Sequence, residues 1–185
     1  MAKIAFAGGA ASSRAIVVVT TLISLSVLLT ASAKIEIPFW PVPMTLETLA
    51  VLWLAGQFGA RLAGGAVLFW LAEGALGLPV FAGPTAGVAY FLGPTAGYLV
   101  AFLFVSVAVG FAADRGLRER PIPLFLVMLA GVGLIYIVGV SWLAQFLGWI
   151  KAVHIGALPF IPADLTKAAL ATALVFASGR SRHRA

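Results

Sequence analysis

The chain has 185 residues, 62% apolar and 10% charged, with 12 Lys and Arg against 6 Asp and Glu and a net charge of +6. A soluble domain is about half apolar and a quarter charged, so these side chains cannot clothe a water-facing surface, and a soluble globular or a disordered chain is excluded. The bilayer is the solvent for most of the chain, and without cysteine there is neither a disulfide nor a thiolate site.

Apolar runs parted by charges or Pro/Gly clusters predict six spans, over residues 15–33, 45–58, 62–78, 91–113, 124–147 and 163–178. They give an all-α integral membrane protein, a single domain across 1–185, built as a bundle of six transmembrane helices. Lys3, Arg14, the apolar stretch and then Ala31, Ser32 and Ala33 also resemble a cleavable secretory leader; the segment is expected to stay as helix 1. With both termini in the cytoplasm, Lys3, Arg14, Arg61, Arg115, Arg118, Arg120, Arg180, Arg182 and Arg184 lie inside, and Lys34 and Lys151 lie outside. The positive-inside rule selects that orientation for a multi-pass protein of the cell membrane. The positive balance is thus a matter of topology, and no nucleic-acid partner is expected.

The first outer loop, 34–45, carries Pro38, Pro41 and Pro43, which favour an extended, stiff segment. Its Phe39 and Trp40 fit either an aromatic belt at the headgroups or the underside of a lid over a pocket. Glu47 opens the second span, where a carboxylate suits the helix dipole and a ligand contact fits equally well. Glu73, near the outer end of the third, is either desolvated or at the headgroups. GPTAG then occurs twice, at 83–87 and 93–97. Irregular backbone at this depth either lines a cavity or makes an ordinary hairpin. Pro94 suits the first turn of helix 4, whose free N–H groups would face outward toward an anion.

The third outer loop, 149–167, places Pro162 at the start of helix 6 and Asp164 in its first turn. Lys167, three residues on, shares that face. The pair either caps the helix or faces the bundle interior, with Lys167 receiving a ligand carboxylate and Asp164 accepting ligand N–H donors. His154 and His183 have no partners at metal spacing, so no metal is expected. The basic tail, 180–185, either fixes topology or meets anionic lipid. There is no phosphate-binding loop, no zinc-protease motif and no nucleophile elbow. The polar groups gather at the outer end, where a binding protein for an external solute needs them.

Four ordered strings, IPFWPVPMTLETLAVLWLAG, ALGLPVFAG, GPTAGYL and PFIPADLTKAALA, resemble the BioY family. These are the biotin-specific substrate-binding (S) components of energy-coupling factor (ECF) transporters, and the likeness runs from about residue 15 to about 178. It implies six helices with cytoplasmic termini and a biotin site near the outer face of a bacterial inner membrane. The D-x-x-K motif falls on Asp164 and Lys167, P-V-P-x-T on Pro41 to Thr45, and G-P-T-x-G-Y on Gly93 to Tyr98. With Trp40, Thr45, Glu47, Phe81, Tyr90 and Phe91 these supply an acid, a base and aromatics for a ureido head, an apolar ring and a carboxylate.

Two positions depart from the family pattern. Glu47 stands where Gln is frequent, an extra acid that is costly beside an anionic ligand unless it faces the ureido end or is protonated. Ala82 and Gly83 stand where some members have a polar side chain. The resemblance also implies docking of Ala11, Ala15, Thr20 and Ser24 on helix 1 to a transmembrane coupling subunit, which works with two ATPase subunits. No cofactor is implied, and ATP is used only by those partners. Two alternatives share the architecture: capture of another small vitamin or carboxylate, and a membrane assembly subunit with no soluble ligand.

Overall fold

Backbone that crosses hydrocarbon must pair its own N–H and C=O groups, and this chain does so with helices. The computed structural model describes residues 5–182. The elements are α1 (Ala5–Lys34), a two-stranded hairpin of β1 (Glu36–Ile37) and β2 (Met44–Thr45), α2 (Glu47–Ala75), α3 (Ala96–Asp114), α4 (Pro121–Leu147), α5 (Trp149–Gly156) and α6 (Ile161–Arg182). Five of these helices are long and apolar enough to cross a membrane.

The predicted spans 45–58 and 62–78 are the two arms of α2, which Gly59 breaks with φ +77°. Both outer ends of α2 return to Lys34. Leu46 N–H donates to Ser32 O and Ile35 O at the end of α1, and Lys34 Nζ donates to Phe81 O beyond the second arm. The element therefore doubles back at Gly59, and the bundle makes six passes. The break leaves orphan backbone groups on each arm. Asp114 Oδ2 accepts Ala60 N–H at 2.9 Å, and Arg118 Nε donates to Gly56 O at 2.9 Å. Asp114→Ala should lower stability by about 1 kcal/mol, as losing an N-terminal cap does; thermal unfolding in detergent checks this, and an unchanged midpoint would deny the cap its role.

Two further features differ from expectation. The fourth span begins at Ala96 rather than residue 91, because Gly93, ahead of Pro94, is extended (φ −81°, ψ 173°) and 88–92 form a separate 3-10 turn. Pro94 thus precedes the helix. Ala96 N–H and Tyr98 N–H donate to Gly93 O and Thr95 O, so two of the donors expected for an anion are taken up inside the chain. The third outer loop contains the helix α5, divided from α4 by Gly148 at φ +77°. The first outer loop is extended as expected, with Glu36 paired to Thr45 and Ile37 to Met44.

The core is layered along the bundle axis. Toward the outer end α2 offers Thr48, α3 Phe102, α4 Ile135 and α6 Lys167 to a shared cavity. Below it Leu52, Val105, Met128, Ala171 and Val175 are all fully buried. Small residues allow the close approach: a Cβ on Gly131 would lie 3.0 Å from Val105, and one on Gly56 2.8 Å from Met128. Helix α1 packs chiefly on α2, through Leu25, Ser26, Leu29, Ser32 and Ala33, while Ile16, Val17, Val19, Ile23 and Val27 stay exposed. That is the outward apolar face of a helix that meets lipid.

Candidate functional site

The cavity at the outer end holds about 50 Å³ and is lined by α2, α3, α4, α6 and the two long outer loops. Thr45, Glu47, Tyr90, Tyr98, Asp164 and Lys167 all reach its wall. Three ionisable groups are buried there, Glu47 at 6%, Asp164 at 4% and Lys167 at 8% exposure. Charges this dry are rare within a bundle and need partners.

Lys167 Nζ donates to Asp164 Oδ1 at 2.7 Å and to Thr45 O at 2.8 Å. Asp164 Oδ2 accepts the Tyr136 hydroxyl at 2.6 Å. Both oxygens of Asp164 are thus engaged, and among the described residues one ammonium proton of Lys167 has no acceptor. Thr45 Oγ1 donates to Glu47 Oε2 at 2.7 Å. Among the described residues Glu47 Oε1 is buried without a partner; an acceptor left so costs about 1–3 kcal/mol until something reaches it.

Tyr136 completes this network, yet it lies alone in the apolar run GVGLIYIVGV, where nothing but its hydroxyl sets it apart from core. Tyr136→Phe should cost about 1.5 kcal/mol of stability, the lower range for a hydrogen bond to a charged group. A thermal midpoint equal to wild type would mean that the hydroxyl holds nothing. Thr48, Thr95, Phe102, Ile135 and Phe160 join the same wall. Of these only Thr95 lies in a repeated motif. The hydroxyl of Tyr98 donates to Gly156 O at 2.9 Å, tying α3 to α5.

Phe81 and Phe91 are not in the cavity wall. Phe81 is fully buried behind it, with its ring 4.9 Å from Trp70, 4.8 Å from Tyr90 and 5.5 Å from Phe91. Gly74 makes room for it, since a Cβ there would stand 2.0 Å from the ring. The loop 76–95 is pinned from three helices. Lys34 Nζ donates to Phe81 O and Gly83 O, Gly87 N–H to Gly74 O, and Trp142 Nε1 to Gly93 O. Burial pushes the Tyr90 hydroxyl pKa above its ordinary value, so this ring is a neutral wall.

Trp40 also stands apart from the inner cavity: it is 83% exposed. Its place is an outer vestibule of about 640 Å³ that both GPTAG copies help line, together with Phe39, Pro41 and Gly83. The hairpin covers the cavity with Val42 and Pro43 instead, while Phe39 packs edge-on against Phe160 at 6.1 Å. Vestibule and cavity share Pro43, Ala82, Tyr90 and Thr95. Glu73 faces neither space; it accepts a hydrogen bond from buried Ser26, which joins α2 to α1.

On α1, Ala15, Thr20 and Ser24 are exposed. The hydroxyls of Thr20 and Ser24 fold back onto carbonyls of their own helix. The side chain of Ala11 lies outside the described residues.

Residues 4–184 match the BioY family. A probable biotin transporter BioY of Pyrococcus horikoshii is 38% identical over 152 residues, covering 82% of this chain and 90% of that protein. A biotin transporter BioY of Rhizobium etli is 34% identical over 172 residues, covering 88% of this chain and 91% of that one. Among solved structures, the S-component for biotin from an ECF-type ABC transporter is similar with a TM-score of 0.80 and 28% identity, covering 91% of this chain and 93% of that chain.

Proposed function

We propose a function from one premise: this chain belongs to the BioY family. It is a membrane transport protein rather than an enzyme, and its solute is biotin. Its role is that of the substrate-binding S component of an ECF-type transporter, which captures biotin at the outer face of a bacterial inner membrane. A transmembrane coupling subunit and two ATPase subunits complete the transporter. The coupling subunit docks at Ala11, Ala15, Thr20 and Ser24 of α1 and the ATPase subunits consume the ATP, so the chain itself needs no cofactor.

The observation that carries this reading is the buried polar set at the start of α6, Asp164, Lys167, Tyr136, Thr45 and Glu47, enclosed by aromatic and aliphatic walls. Biotin has a cyclic urea, an apolar thioether ring and valeryl chain, and a carboxylate. A mostly apolar pocket with few convergent polar groups suits such a solute.

Calorimetric titration of biotin into the detergent-purified chain tests the reading. One-to-one saturable heat, not competed by a panel of other vitamins, is the expected result. Competition by another vitamin would change the solute and keep the class. A folded protein that gives no heat with biotin or the panel would point instead to an assembly subunit with no soluble ligand.

A further inference from the structure

We propose that Glu47 receives a ring N–H donor of the captured molecule. This rests on the biotin reading above. Of the two carboxylates in the cavity, Asp164 spends both oxygens on Lys167 and Tyr136. Glu47 spends one on Thr45, and its Oε1 is left buried and unpartnered. Buried polar atoms are almost always paired, so an orphan oxygen on a cavity-lining side chain marks where a donor belongs. This moves N–H recognition from Asp164, where the D-x-x-K motif alone would put it, to Glu47.

The surroundings decide which end of the solute arrives. Thr45 touches both groups: its hydroxyl meets Glu47, and its carbonyl meets Lys167. One free acceptor and one free ammonium proton are therefore gathered around a single residue. A cyclic urea carries its carbonyl between two N–H groups and can satisfy both at once, with its oxygen on Lys167 and an N–H on Glu47. A carboxylate would satisfy Lys167 alone and would face Glu47 with like charge. The ring head thus goes to the floor of the cavity. The valeryl tail leads out past Pro43, Ala82, Tyr90 and Thr95 to the vestibule.

A change of ligand charge isolates that contact. Lys167 is paired with Asp164 at 2.7 Å, and among the described residues Glu47 makes no ion pair. A guanidinium ring keeps the ring N–H donors of the urea but puts a cationic N–H donor where the urea oxygen would face Lys167, so it binds more weakly than the urea. The binding that remains depends on Glu47, since hydrogen bonds between ions are roughly twice as strong as neutral ones. Glutamine at this position would keep the shape and lose that ionic contact.

The experiment is titration of wild type and Glu47→Gln with biotin and with 2-iminobiotin at neutral pH, where the guanidine is protonated. In Glu47→Gln, the Kd for 2-iminobiotin relative to biotin should rise by about tenfold or more, the scale of one ionic hydrogen bond. An equal ratio in the two proteins would overturn the assignment. Biotin methylated on a ring nitrogen, titrated into wild type, serves if the variant does not fold. Its affinity should fall by about 100-fold, and an unchanged affinity overturns the assignment. Failure of wild type to bind biotin at all sinks the uptake reading, whereas biotin binding with an unchanged ratio sinks only the role of Glu47.

Discussion

Lys167→Ala is expected to weaken biotin capture by about 2–5 kcal/mol, the range seen when one member of a buried, hydrogen-bonded charge pair is truncated. The same change strands Asp164 at 4% exposure with only the Tyr136 hydroxyl left. An uncompensated buried charge costs about 3–5 kcal/mol of stability. The two effects separate in the double variant Asp164→Asn with Lys167→Met, which carries neither charge. Its thermal midpoint should recover toward wild type while its affinity does not. Calorimetric titration and thermal unfolding read the two quantities independently. A folded Lys167→Ala protein with wild-type affinity would remove the lysine from the site.

Gly110→Ala is expected to destabilise the bundle strongly. A Cβ on Gly110 would stand 2.5 Å from Ala60 N and 2.7 Å from Gly59 C. Those atoms are backbone, fixed by Asp114 on one arm of α2 and Arg118 on the other, so no rotamer change relieves the clash. Overpacking costs typically about 1–3 kcal/mol, and a rigid site lies at the top of that range. Gly133→Ala is the control, since nothing lies within 4 Å of its Cβ and it is interior to α4. There alanine should stabilise by about 0.5–1 kcal/mol. Thermal midpoints that move together in the two variants would contradict this account of the α2–α3 contact.

The spans were legible in the sequence because hydrocarbon imposes one demand along a whole segment, and an apolar run records it locally. The reversal at Gly59 was legible only as a gap between two runs. Its cause is a carboxylate 54 residues away in sequence, Asp114 on Ala60 N–H, and no local pattern announces that. Asp164 and Lys167 stood out because charges in an apolar helix are costly. Tyr136 did not, because its ring is as apolar as its neighbours and only the oxygen of Asp164 gives its hydroxyl a purpose. Trp40 shows the converse. An aromatic side chain beside prolines fits a headgroup belt and a lid equally, and only packing separates the two. At 83% exposure it stands at the mouth.

The packed layer beneath the cavity has a kinetic consequence. Leu52, Val105, Met128 and Val175 close the bundle with no exposed surface, at the density of a protein interior. The cavity is therefore closed on its inner side by packed side chains. In the biotin-uptake reading, emptying on the far side would require the outer end to change compartments, carrying Lys34 and Glu36 through hydrocarbon with it. The tighter the cavity holds its cargo, the longer such a cycle would wait on release.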